Sequence, residues 1–106
     1  MPKFLITASY TVEGAKGVQS KGGSARREAV KEAVEGAGGS LESFHFAFGD
    51  QDAYVIVDLP SNEAAAAVAI SVNASGGAAA NTVVLLTPEE VDAAAEQSVS
   101  YRAPGQ

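Results

Sequence analysis

"LESFHFAFGDQDAYVIVDLP", residues 41–60, alternates in its first half and stops alternating in its second. Phe44, Phe46 and Phe48 fall on one side of an extended chain, and Ser43, His45 and Ala47 on the other. Past the polar "GDQD" at 49–52, Tyr54 and Ile56 share one side while Val55 and Val57 share the other. The stretch therefore predicts a strand over Leu41–Phe48, a hairpin turn at 49–52, and a strand over Ala53–Asp58 that Pro60 ends. A strand that is apolar on both sides needs both faces of its sheet covered.

On the N-terminal side, "KFLITASY" at Lys3–Tyr10 is rich in aromatic and β-branched residues and predicts the first strand. Residues 12–23 contain four glycines and support one or two helical turns at most. From Ser24 the pattern is helical, with Ala25, Ala29, Val30, Ala33, Val34 and Ala37 on one face, until Gly36-Ala37-Gly38-Gly39 ends it. On the C-terminal side, Ser61 or Asn62 caps an Ala-rich helix over 63–74, and Asn81–Leu86 forms the fourth strand. "TPEE" at 87–90 opens a third helix, with Thr87 and Glu90 as a capping box and Pro88 in the first turn. The tail from about residue 99 is expected to be irregular.

This order predicts a single α+β domain over 1–106, a ferredoxin-like βαββαβ plait with an antiparallel four-stranded sheet and an extra C-terminal helix. Its two helices cover one face of the sheet. The other face, and the nearly uncharged Ala-rich helix, are expected to meet another copy of the chain, giving a homo-oligomer.

Composition narrows the function classes. The chain of 106 residues has no Cys and one His, which excludes a disulfide framework, a thiol nucleophile and a multi-histidine metal centre within one chain. Thirteen acids against seven bases give a net charge of −6, which argues against a nucleic-acid partner. Six of the bases lie in residues 1–40, so the N-terminal part can attract a small anion while the rest is acidic. The apolar runs are too short for a signal core or a membrane span, and a soluble, cytoplasmic protein without a membrane partner is expected.

"GVQSKGGSARREA", residues 17–29, resembles a phosphate loop in which Gly23 stands where the lysine is needed. An antiparallel sheet is also the wrong setting for that loop, so a glycine-softened helix start is the first reading. An anion site using Arg26 and Arg27 is the second. His45 is the natural general acid or base near neutral pH, with Ser43, Ser9, Tyr10 and Tyr54 as candidate ligand-binding neighbours. Its alternative role is a structural histidine, hydrogen-bonded at a sheet interface. Asp50, Asp52 and Asp58 read as turn and strand-end residues rather than as a metal set; no metal and no cofactor is expected.

"GGSARREAV" at 22–30, "FAFGDQDAYVIVDLPSNEAAAA" at 46–67, "SVNASGG" at 71–77 and "LLTPEEVDAAAEQSVSYRAPG" at 85–105 together resemble the GYD-domain family. The resemblance runs over nearly the whole chain. The signature Gly-x-Tyr-Asp reads here as Gly49-Asp50-Gln51-Asp52, with glutamine at the tyrosine position. It implies a small bacterial protein of the dimeric α/β-barrel type whose sheets pack together, and it makes Asp52 a second candidate catalytic residue. The expected function is binding or sensing of a small metabolite at a sheet-face cavity, or a structural role. The alternative is cofactor-independent oxidation or isomerisation of a small enolisable compound, with His45 as acid/base.

Overall fold

The computed structural model describes residues 1–106. The elements, in chain order, are β1 (Lys3–Tyr10), α1 (Val12–Lys21), α2 (Gly23–Gly36), β2 (Ser40–Phe46), β3 (Ala53–Asp58), α3 (Asn62–Ala74), β4 (Ala78–Leu85) and α4 (Pro88–Ala95). The strands form one antiparallel sheet in the order β2-β3-β1-β4, the ferredoxin-like arrangement.

Register sorts the side chains. Phe4, Ile6 and Ala8 lie opposite Val57, Val55 and Ala53, and all six are buried. α2 packs over the β2 edge of this face and α3 over the β4 edge, contributing Val34, Ala65 and Val68. Phe4, Leu59, Val34 and Val57 are the largest fully buried side chains. Each contributes roughly 1.5–3 kcal/mol by leaving water.

α1 is longer than the sequence suggests. Its ten residues form a full helix despite two internal glycines. Thr11 caps it by accepting from the Gly14 N–H at 3.2 Å, with Glu13 in the first turn and Lys21 in the last. Gly14 is required by tertiary packing: a Cβ there would stand 1.8 Å from the Gly77 carbonyl oxygen. Gly22, at φ 87°, ends α1 and begins α2, so the two helices meet at a one-residue corner.

The buried stripe of α2 also differs from the expected one. Ala25, Ala29 and Ala33 are exposed, and the helix turns Gly23, Arg26, Val30, Val34 and Ala37 toward the sheet. Valines set this orientation because they bury more surface than alanines. The consequence is that Arg26 lies in the sheet-facing stripe.

β2 stops at Phe46 rather than Phe48. Phe44 and Phe46 face the helices, edge to face with ring centroids 5.0 Å apart, whereas Phe48 stands free in solvent. The connection to β3 spans 47–52, because the Ala47 N–H donates to the Asp52 carbonyl at 2.9 Å and closes a longer loop than "GDQD" alone. A bulge at Glu42 lets Leu41 and Phe44 share the helix side although they are three residues apart.

β4 begins at Ala78, three residues earlier than expected, because Ala78–Ala80 pair with Tyr10–Ala8 despite weak strand propensity. α3 is capped by Ser61, and α4 carries the full Thr87–Glu90 capping box. α4 has no buried residue. The radius of gyration is 16.8 Å, and the extents are 55 × 33 × 22 Å. A compact chain of about 100 residues has a radius near 13 Å. No helix is long and apolar enough to cross a membrane.

Candidate functional site

The sheet face away from the helices is bare in the single chain. Its register builds two adjacent rows running across all four strands. One is His45–Tyr54–Thr7–Asn81; the other is Ser43–Ile56–Leu5–Val83. The first is polar with one aromatic ring, the second mainly aliphatic. Tyr54 keeps 39% and Val83 50% of its surface in water. Leu5 and Ile56, on the two central strands, are half-buried by their neighbours alone.

A third row closes one end of this face. Lys3 Nζ donates to Asp58 Oδ1 at 3.0 Å and also pairs with Glu42. These hydrogen bonds, to Glu42 first and Asp58 second, raise the Lys3 pKa above its ordinary value. At the other end Ser9 donates to Gln51 Oε1 at 3.3 Å. Gln51, at the signature's tyrosine position, is therefore tied to β1.

The His45 side chain is exposed on this face, and no ion pair or side-chain hydrogen bond engages it. Ser43, Tyr54 and Ser9 share its side of the sheet; Tyr10 is on the other side, facing the helices. The set expected around His45 is thus divided by the sheet. Asp52 serves the backbone: its Oδ2 accepts from the Tyr10 N–H at 2.8 Å, and its own N–H donates to the Ala8 carbonyl at 2.8 Å. Asp58 is engaged by Lys3. Asp50 is an exposed loop residue, and no three acids or His45 converge as a metal set.

The two arginines also part company. Arg27 points outward and reaches only Glu28, at 3.7 Å. Arg26 lies over the Tyr10 ring, 5.7 Å from its centroid, with its Nε out of water and without a partner. Arg26 and Tyr10 line a cavity of about 300 Å³ between α1, α2 and the end of β1, with Gly14, Gly17, Val18, Lys21 and Ala29 among its walls. Sequence reasoning named Tyr10 and Arg26 but not their convergence, nor Lys21 and Gly17 beside them. The spacing of 14, 17, 18 and 21 along α1 marks those four as one helix face.

No curated protein and no solved structure gives a significant match to the sequence. The family described as "GYD domain" matches residues 4–95. With that match covering most of the chain, from β1 to the end of α4, the protein belongs to the GYD-domain family.

Proposed function

We propose that the protein is a homo-oligomeric binding protein. Two copies meet through their bare sheet faces and hold a small metabolite between them on the His45–Tyr54–Thr7–Asn81 row. The observation that carries this reading is the pair of rows itself. A polar row fit for hydrogen bonding a ligand runs beside an aliphatic row fit for closing against another apolar surface. Leu5, Ile56 and Val83 on the uncovered side of a sheet gain from burial that a single chain does not supply. The projecting α4 and the exposed Ala66, Ala67 and Ile70 on the outer side of α3 offer further contact surface for assembly.

Binding is favoured over turnover by the surroundings of His45. No acid orients its ring, and the Asp52 carboxylate is engaged with the backbone. Native mass spectrometry tests the reading. The expected result is a dimer or a multiple of it carrying an extra small mass, and His45→Ala that still assembles but loses that mass. A monomer at micromolar concentration overturns the interface. Turnover of an enolisable compound that vanishes in His45→Ala would favour the enzymatic alternative.

A further inference from the structure

The cavity at the α1–α2 corner lies on the opposite side of the sheet from the His45 row, and its chemistry is different. Of the eleven residues that line it, the charged ones are Lys21 and Arg26, both cations; no carboxylate is among them. Neither cation appears in any ion pair of the structure, which pairs only Lys3 and Arg27. Arg26 Nε is withdrawn from water with no acceptor. The guanidinium thus brings an unbalanced positive charge to the cavity wall, which an anion in the cavity offsets. The remaining wall is apolar or small: the Tyr10 ring, Val18, Ala25 and Ala29.

The helices shape this space with matched stripes. Positions 14, 17, 18 and 21 of α1 face positions 22, 25, 26 and 29 around the corner, each at the i, i+3, i+4, i+7 spacing of a single helix face. Gly17 is the informative member. It stands inside a helix, where glycine is destabilising relative to alanine. Unlike Gly14, it meets no neighbour: an added Cβ has nothing within 4 Å. Packing does not require a glycine there, and a side chain at this position would extend into open space. A second, much smaller apolar gap, lined by Ile6, Val30, Phe44 and Val68 among others, also includes Tyr10 and Arg26 and extends the apolar surroundings toward the core.

We propose that this cavity binds a small organic carboxylate with a compact apolar or aromatic body. The carboxylate bonds Arg26, with Lys21 adding positive potential at the rim, and the body lies against Tyr10 and the alanines. The ring of Tyr10 positions the guanidinium from below through a cation–π contact, so Arg26 is held for the ligand before it arrives.

The test is an NMR titration of the isotope-labelled full chain with benzoate. Benzamide supplies the same body without charge, and inorganic phosphate supplies charge without the body. Saturable benzoate shifts are expected at Gly17, Val18, Gly22 and Ala29, with benzamide and phosphate each at least about tenfold weaker. Arg26→Gln should weaken benzoate by about tenfold or more. Because Arg26 is also a packing residue, Gly17→Leu provides the second variant: it keeps every charge, favours the helix and fills the cavity. Loss of benzoate binding in a folded Gly17→Leu protein supports the site. Equal binding of benzamide or phosphate, binding that survives Gly17→Leu, or no saturable response to benzoate at millimolar concentration overturns it. None of these outcomes depends on assembly through the sheet face or on His45.

Discussion

The N–H of Tyr10 donates to Asp52 Oδ2 at 2.8 Å, which joins the last residue of β1 to the loop between β2 and β3. Together with the Asp52 N–H on the Ala8 carbonyl, this holds the end of β1 in a clamp of one residue. The Tyr10 side chain emerges from that clamp beneath Arg26. An acid that the sequence offers as a catalytic candidate thus serves to fix where an aromatic ring stands.

Asp52→Ala should therefore destabilise the fold. A hydrogen bond to a charged group contributes about 1.5–3 kcal/mol, so a loss of that order is expected in urea unfolding. Asp52→Asn retains an acceptor and should lose less. If Asp52→Ala unfolds at the wild-type midpoint, the clamp has no energetic weight.

Ile56→Lys places a charge in the middle of the bare sheet face. The side chain is not part of the helix-side core, so the subunit should stay folded, with far-ultraviolet circular dichroism unchanged. Burying an unpaired charge in an interface is strongly unfavourable, so if the proposed sheet-to-sheet assembly holds, the variant should sediment as a monomer under conditions where the wild type is an oligomer. An Ile56→Lys protein that assembles normally would place the contact elsewhere.

Leu59→Ala tests the core. Leu59 is wholly buried just beyond β3, and its N–H donates to the Pro2 carbonyl at 3.1 Å. Removing its side chain should cost about 2–5 kcal/mol in chemical denaturation. The core holds only eleven buried residues, so a loss in the upper half of that range should leave a substantial unfolded fraction at room temperature.

Lys3 gives the fold an alkaline signature. Its pKa is raised in the folded state by its bonds to Glu42 and Asp58, so the folded chain holds this proton more tightly than the unfolded chain. The stabilisation is fully present below the ordinary lysine pKa of about 10.4 and is lost as pH rises through the raised folded value. Lys3→Met should unfold at a midpoint that changes less with pH in that alkaline window. Identical slopes for the two proteins would show that the pairing does not reach stability.

The hairpin and the helix caps were legible because each rests on local chemistry: Thr87 with Glu90, Ser61 before the alanines, period-two alternation through Phe44 and Phe46. Phe48 departs from the expected strand because the loop closes at Asp52, through a contact between main-chain groups that no side-chain pattern reports. α1 exceeds the expected one or two turns for a different reason. Its glycines argue against a helix locally, while the close approach of Gly77 selects one of them tertiarily. The orientation of α2 was hidden among alanines, which are too alike in size to declare a buried face. Once Val30 and Val34 decide it, Arg26 is carried inward and the convergence with Tyr10 follows. The division of Tyr10 from His45 was in principle readable, since positions 8, 9 and 10 of a strand alternate sides.

The crossover from β1 to β2 contains two helices, and only the second is anchored in the core. α1 has no buried residue at all, and it is held by Thr11, by Gly77 and by the corner at Gly22. Apart from Gly14 and Gly22, the scaffold leaves this segment largely unconstrained in composition: positions 17, 18 and 21 of its inner face can be exchanged without repacking anything beneath the sheet. A designer seeking to reshape the cavity would diversify positions 17, 18 and 21 and leave the plait untouched, because at those sites a new side chain alters the cavity wall and not the core.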